Sequence, residues 1–265
     1  MEIRILENEA AFDRAAAWQL VGCMVNRPEA AIGLATGATT RGVYRAAADI
    51  YAAHPFDTSA VRLFGLDEIV GVPQDFTGSC LEDIWLQLAG PLNVPKAHIV
   101  MPDGQAADLP AEAARYGARV AALGRPELVV LGLGRDGHLG MNLPGTPFEQ
   151  DTWYTPLSGE LDARVRAPNH LPESHVIGGI TLGIRTIMRM PRLLLLVKGA
   201  EKAGMVRKAL QGPVTPQVPA SVLQLHPAVT VMLESAAAGA LSEEISRCGL
   251  PAIFSGQRDL SFSVP

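Results

Sequence analysis

Glu127-Leu-Val-Val-Leu-Gly-Leu-Gly-Arg-Asp-Gly-His-Leu-Gly-Met-Asn142 is the stretch on which the fold turns. Residues Glu127–Leu133 form a short apolar run that stops in glycines, which reads as a buried strand ending at a tight turn. Gly132, Gly134 and Gly137 fit the dinucleotide pattern G-x-G-x-x-G. That pattern needs a long helix opening at its third glycine, however, and Pro144 and Gly145 forbid one. The glycines suit a turn that brings backbone close to a ligand, with Asp136 and His138 as an acid/base pair. A histidine held in a tight turn for structural reasons is the other reading of the same residues.

On either side of this stretch, strand-like and helix-like segments alternate. Glu2–Leu6, Ala31–Ala35, Val61–Leu66, Ala97–Met101, Arg192–Val197, Ala220–Leu225 and Val229–Leu233 read as strands. Ala10–Val25, Gly42–Ala53, Leu81–Ala89, Ala111–Leu123, Ala200–Leu210 and Ser235–Ile245 read as helices. The alternation predicts an α/β fold, a mainly parallel sheet with helices on both faces. Residues 1–247 are expected to form one domain and 248–265 an irregular tail. Asn142 to Val176 breaks the rhythm, with Pro144, Pro147, Pro156, Pro168 and Pro172 and little periodicity. A loop of that length in a compact domain is either an active-site lid or a misread element.

Ligands of an open parallel sheet bind beyond the carboxyl ends of its strands. After Ala31–Ala35 comes Thr36-Gly37-Ala38-Thr39-Thr40-Arg41-Gly42, a small hydroxyl-rich turn opening a helix. Its backbone N–H groups, Thr hydroxyls and helix dipole suit a phosphate, or equally make an ordinary capped turn. After Val61–Leu66 come Asp67 and Glu68, placed either as a general base or as a helix cap. After Arg192–Val197 comes Lys198-Gly199-Ala200-Glu201-Lys202, where a lysine could reach a phosphate. Cys80 lacks an evident base and reads as structural. His54, His98, His170 and His175 form no metal-binding pattern.

Composition narrows the partners. The chain has 265 residues, 22 Lys+Arg against 27 Asp+Glu and a net charge of -5. It shows no basic run, which argues against nucleic acid. Mean hydropathy is +0.18, and no segment approaches the roughly 18–20 apolar residues of a membrane span. Cys23, Cys80 and Cys248 are isolated, so a reducing, cytoplasmic setting is expected.

In order, Leu34-Ala-Thr-Gly-Ala-Thr39, Leu66-Asp-Glu-Ile-Val-Gly-Val-Pro73, Leu131 to Asn142, Gly179-Ile-Thr-Leu-Gly183, Leu193 to Lys202 and Pro219-Ala-Ser-Val-Leu-Gln-Leu-His-Pro227 resemble the glucosamine-6-phosphate deaminase/isomerase family. The wording is most similar to the galactosamine-6-phosphate branch. The resemblance implies a Rossmann-like sheet without a nucleotide and a sugar-phosphate substrate. It also implies a reaction that opens the ring, moves a proton from C2 to C1 and releases ammonia, with no metal or organic cofactor. Thr36, Gly37, Ala38, Thr39 and Lys202 would hold the 6-phosphate, with Gly137 beside the substrate. Asp67 would shuttle the proton, and His138, supported by Asp136, would open the ring. The resemblance leaves assembly open between a monomer and a homo-oligomer.

One residue departs from the family. Asn-Glu-Pro-Gly is expected after the His segment, and the chain reads Asn142-Leu143-Pro144-Gly145. The loss implies slower ring opening, or a substitute carboxylate such as Glu149, or a changed substrate. It raises the standing of a 6-phosphogluconolactonase-like reading, which needs no such Glu. A non-catalytic sugar-phosphate sensor is the third reading. Asp151-Thr-Trp-Tyr-Thr-Pro-Leu-Ser158 lacks the family's basic effector cluster, so no effector regulation is expected.

Overall fold

The strands that set the frame are those whose residues are aliphatic on both faces. In the computed structural model, which describes residues 1–71, 78–174 and 176–242, these are β2 (Ala31–Leu34), β6 (Leu128–Gly132) and β9 (Leu193–Val197). Almost every residue in them is buried. A parallel strand covered by helices on both sides has no solvent face, so its sequence need not alternate. Along β9, Leu193, Leu195 and Val197 enter one core, while Leu194 and Leu196 enter the other.

In chain order, β1 is Glu2–Leu6, α1 Glu9–Asn26, β2 as above, α2 Ala38–Ala53, β3 Arg62–Gly65, β4 Asp67–Val70 and α3 Cys80–Ile84. A π turn, Trp85–Ala89, extends α3. There follow β5 (Ile99–Val100), α4 (Leu109–Ala122), β6, β7 (Trp153–Pro156), α5 (Gly159–Arg166), β8 (Gly178–Thr181) and α6 (Ile184–Met188). The described chain closes with β9, α7 (Ala203–Gln211) and β10 (Val229–Glu234). α1 starts where the Asn8 side chain accepts the Ala11 N–H at 3.0 Å, a cap for one orphan donor. It ends at Arg27, which precedes Pro28 and is biased away from the helical region. Phe12, Ala16, Leu20 and Met24 form its buried stripe.

Seven strands, all paired in parallel, run in the order β1-β10-β9-β6-β2-β3-β5. The chain leaves β2 toward β3 on one side and leaves β6 toward β9 on the other. The strand order therefore reverses between β2 and β6, and a crevice opens at their carboxyl ends. The mainly parallel α/β sheet expected from the sequence is present. The sequence reading did not anticipate a second sheet, in which β4, β8 and β7 pair antiparallel in the order β4-β8-β7. Asp67 is thus not the tail of a parallel strand. The chain leaves the large sheet at Leu66, and Asp67 opens β4 opposite Thr181.

Other expectations change as well. Ala220–Leu225 is not a strand but part of a 3-10 helix, Pro219–Leu225. Pro219 has no N–H for a ladder, and β9 already pairs on both edges, so the sheet has no vacancy there. The segment packs on α7 instead, and Gln224 Nε2 donates to the carbonyls of Ala209 and Gly212 at its end (2.9 and 3.0 Å). Ala97–Met101 shrinks to the two-residue edge strand β5, preceded by a 3-10 turn at Lys96–His98. Within its described part, the predicted helix Ser235–Ile245 forms the 3-10 turn Ser235–Ala238 before Gly239. Its end, Cys248 and the expected tail 248–265 lie outside the described residues, as do Pro73 and His175. Asn142–Val176 is not irregular throughout, since it contains β7 and α5. The part that leaves the sheets runs from Leu157 to Ile177, whose ends meet through the Leu157 N–H and the Ile177 carbonyl (2.9 Å). That excursion packs on a small core of its own with Ile69, Met141, Val165 and the flanking Leu161 and Leu171.

Candidate functional site

The crevice between β2 and β6 is flanked by the two turns that the sequence singles out. The turn after β2 is Ala35-Thr36-Gly37, and α2 begins at Ala38, four residues before its predicted start. Thr39 and Thr40 therefore belong to the first helical turn, whose N–H groups have no partner within the helix. The Tyr44 hydroxyl donates to the Ala35 carbonyl at 2.5 Å and Thr40 Oγ1 to the Gly37 carbonyl at 3.1 Å. These bonds fix the turn from behind and leave Thr36 and Thr39 half-buried at the crevice.

Lys202 Nζ donates to Thr39 Oγ1 at 3.4 Å, so this lysine joins the turn as expected. Lys198 does not. Its ammonium lies 2.7 Å from Glu9 Oε1 and 2.9 Å from Asp13 Oδ1 and sits over the Phe12 ring. Burial opposes its charge, but the two carboxylates outweigh that together and hold its pKa above the ordinary lysine value.

The turn after β6 is closed by Gly137 N–H to the Gly134 carbonyl and Gly134 N–H to the His138 carbonyl, each 3.1 Å. It is pinned from below by Ala220 N–H to the Gly137 carbonyl at 2.9 Å. The imidazole of His138 lies directly on Gly134, where any Cβ would fall 2.2 Å from Nδ1. Asp136 Oδ1 takes both the His138 backbone N–H (3.1 Å) and ring Nδ1 (2.6 Å). The hydrogen bond from the imidazole lowers the Asp136 pKa, against partial burial. With Nδ1 engaged by the carboxylate, Nε2 is the nitrogen left to face a substrate oxygen.

Asp67 and Glu68, adjacent on β4, take opposite roles. Glu68 is spent on structure. Its Oε1 accepts from the Ile69 and Cys80 N–H groups, both 2.9 Å, and its Oε2 from Leu81 N–H (2.9 Å) and Ser79 Oγ (3.1 Å). Burial raises its pKa, partly countered by these donors. Asp67 is buried and reaches across to the His138 turn. A Cβ on Gly140 would lie 3.2 Å from Asp67 Oδ2 and 2.9 Å from Thr181 Oγ1. The carboxylate therefore rests against the backbone two residues beyond His138. Gly140 has φ +58°, a conformation that costs other residues energy. Thr181 Oγ1 in turn accepts the Met141 N–H at 3.2 Å.

The rest of the motif is scaffold. Asn142 is fully buried; its Nδ2 donates to the carbonyls of Leu139 (2.9 Å) and Leu182 (2.8 Å), and its Oδ1 accepts from Trp153 Nε1 (3.1 Å). His226, within the Leu-Gln-Leu-His-Pro segment, is buried with Nε2 2.8 Å from the Met190 carbonyl and Nδ1 accepting from Ala228 N–H. Leu143 is half-buried. Glu149 is exposed, and its charge acts on Arg185, which already pairs with Asp151.

The structure thus gathers Thr36, Thr39, Lys202, Asp67, Asp136 and His138 around one crevice. The sequence reading missed Gly140 and Thr181, which flank the Asp67 carboxylate, and Cys80, which touches it. Gly140 and Thr181 stand in quoted motifs, but nothing local links them. A cleft of about 800 Å³ at the amino ends of β6 and β9, lined by Arg125, Asp151, Thr152 and Arg189 among others, holds none of the nominated residues.

Comparison with known proteins places the chain in a family. Residues 9–232 match the family model for glucosamine-6-phosphate isomerases/6-phosphogluconolactonase. A glucosamine-6-phosphate deaminase of Pseudarthrobacter chlorophenolicus is 37% identical over 244 residues, 91% of this chain and 93% of that one. A solved monomeric glucosamine-6-phosphate deaminase superposes with a TM-score of 0.85 at 31% identity, covering 91% of this chain and 100% of that one. A 6-phosphogluconolactonase from Trypanosoma cruzi superposes with a TM-score of 0.71 at 20% identity, over 91% of this chain and 97% of that one, and shares the fold.

Proposed function

This chain belongs to the glucosamine-6-phosphate isomerase/6-phosphogluconolactonase family, and from that premise we propose that it converts an amino-hexose 6-phosphate to a ketohexose 6-phosphate and ammonia. The observation that carries the reading is the Asp67 carboxylate against the Gly140 backbone, with the His138–Asp136 pair on the same turn. One carboxylate and one imidazole on a shared backbone can serve neighbouring atoms of a single small substrate.

The steps divide among these residues. Thr36, Gly37, Ala38, Thr39 and Lys202 hold the 6-phosphate, where the α2 dipole and a lysine both favour an anion. His138, braced by Asp136, gives a proton to the ring oxygen while the anomeric hydroxyl gives its proton to water, and the chain form results. Asp67 takes the C2 proton and returns it to C1. The C–H bond at C2 becomes one at C1, a proton passes from nitrogen to the C1 oxygen through the enolamine, and the nitrogen is left as an imine. Water adds to the imine carbon and ammonia leaves. The Leu157–Ile177 excursion serves as the lid that keeps bulk water from the intermediate. Leu143, in place of the family Glu, removes a second carboxylate from ring opening, so that step falls to the His138–Asp136 pair.

Cys23 and Cys80 form no disulfide, in keeping with the proposed reducing, cytoplasmic setting. Among the described residues no helix is long and apolar enough to cross a membrane. Ammonia release from glucosamine 6-phosphate and galactosamine 6-phosphate, assayed in parallel, tests the reading and identifies the sugar. Silence on both, with hydrolysis of 6-phosphogluconolactone, would replace it with the lactonase reading.

A further inference from the structure

Cys80 opens α3 with its thiol between the two halves of the site. Thr36 Oγ1 donates to Sγ at 3.2 Å, and Sγ donates to Asp67 Oδ1 at 3.5 Å. The Cys80 backbone cannot slide, because its N–H and that of Leu81 are held by the two oxygens of Glu68. The side chain is buried, so water does not compete for the bond to Asp67. One thiol therefore ties the turn that receives the phosphate to the carboxylate that moves the proton.

We propose that Cys80 is a positioning residue, whose thiol fixes the Asp67 side chain and, by donating to it, favours the ionised carboxylate that accepts the C2 proton. The proposal rests on the assignment of Asp67 as the base. The thiol is suited to the role because it stays protonated. Burial first, then Glu68 and Asp67, push its pKa well above the ordinary value. Other ionisable groups face this pocket from each side: Glu68 on β4, Asp83 on α3, Tyr44 on α2, and Tyr116 and Arg119 on α4. Both tyrosines are pushed up by burial and remain neutral. Glu68 keeps its backbone donors when the Cys80 side chain is changed, so a displaced titration can be assigned to Asp67.

The test compares Cys80→Val, which fills the space without a donor, with Cys80→Ser, which restores one. The side-chain carboxyl carbon of Asp67, identified by its loss in Asp67→Asn, is followed by 13C NMR through a pH titration. In Cys80→Val the Asp67 midpoint should rise by about 0.5–1 pH unit, and Cys80→Ser should recover at least half of that. The acid limb of kcat/KM for ammonia release should move upward with it. A merely space-filling role would lower the unfolding temperature without moving either midpoint. Should Cys80→Val not fold, Cys80→Ala takes its place with the same expected direction. An Asp67 midpoint unchanged in a folded variant overturns the proposal. A midpoint that moves in a protein releasing no ammonia upholds the thiol–carboxylate coupling and overturns the deaminase reading instead.

Discussion

Gly140→Ala tests the contact on which the mechanism depends. At φ +58° an alanine is in left-handed backbone, which costs about 1–2 kcal/mol. Its methyl would also stand 2.9 Å from Thr181 Oγ1 and 3.2 Å from Asp67 Oδ2, both inside the roughly 3.5 Å of an unstrained contact. Thr181 is fully buried and already holds the Met141 N–H, so it has little room to retreat. Asp67 must give way by a few tenths of an ångström. A loss of about 1–2 kcal/mol in a protein of this size lowers the unfolding temperature by about 2–8 °C. A displacement of 1 Å at a reacting group can cost about 100-fold in rate, so a few tenths should cost kcat about 3–10-fold. Sugar-phosphate binding, set at the Thr36–Thr39 turn, should keep KM within a few-fold. Thermal unfolding and steady-state ammonia release read the two effects separately. A variant with the lowered unfolding temperature and the wild-type kcat would refute the reasoning, because the carboxylate touched by this backbone would then not be the group that moves the proton.

Three further outcomes are expected. Asp67→Asn should abolish ammonia release while isothermal titration shows sugar-phosphate affinity within a few-fold of wild type; persistent turnover would remove Asp67 as the shuttle. Lys202→Met should raise KM by about 10-fold with a smaller change in kcat, since a point charge on the phosphate binds ground state and transition state alike; an unchanged KM would put the phosphate elsewhere. The Asp136 pKa is held below the ordinary aspartate value of 3.8 by the hydrogen bond from His138. Its share of stability is therefore complete above that value and is lost as pH falls through the lowered one. In urea unfolding from pH 5 downward, the gap between wild type and Asp136→Asn should close only below about pH 3.8, whereas closure near pH 5 would contradict the paired geometry.

The parts of this molecule legible in one sequence are those whose signal is local. Unbroken aliphatic runs mark β2, β6 and β9, and the glycines after β6 and the threonines after β2 mark the crevice ends. The Asp136–His138 pair spans two residues and is visible as such. The second sheet is not, because β4, β7 and β8 are four residues each and β4 finds β8 across a long stretch of intervening chain. Asp67 meets Thr181 through a pairing that no propensity encodes. Pro219–Leu225 misleads because a short apolar run carries no usable period. Lys198 and Lys202 are alike in sequence, and only Glu9 and Asp13, at the other end of the chain, draw Lys198 away while Lys202 meets Thr39. Cys80 reads as inert for the same reason, since its two partners lie far from it in sequence.

The excursion between β7 and β8 leaves and returns at hydrogen-bonded neighbours, Leu157 and Ile177. It is a cassette clipped between two paired strands of the small sheet, and its length is uncoupled from the frame that carries Asp67. The entropy of closing such a loop grows only with the logarithm of its length, about 0.6 kcal/mol per doubling. The cassette can therefore be lengthened or shortened at small cost in stability, with the strand that carries Asp67 left in place.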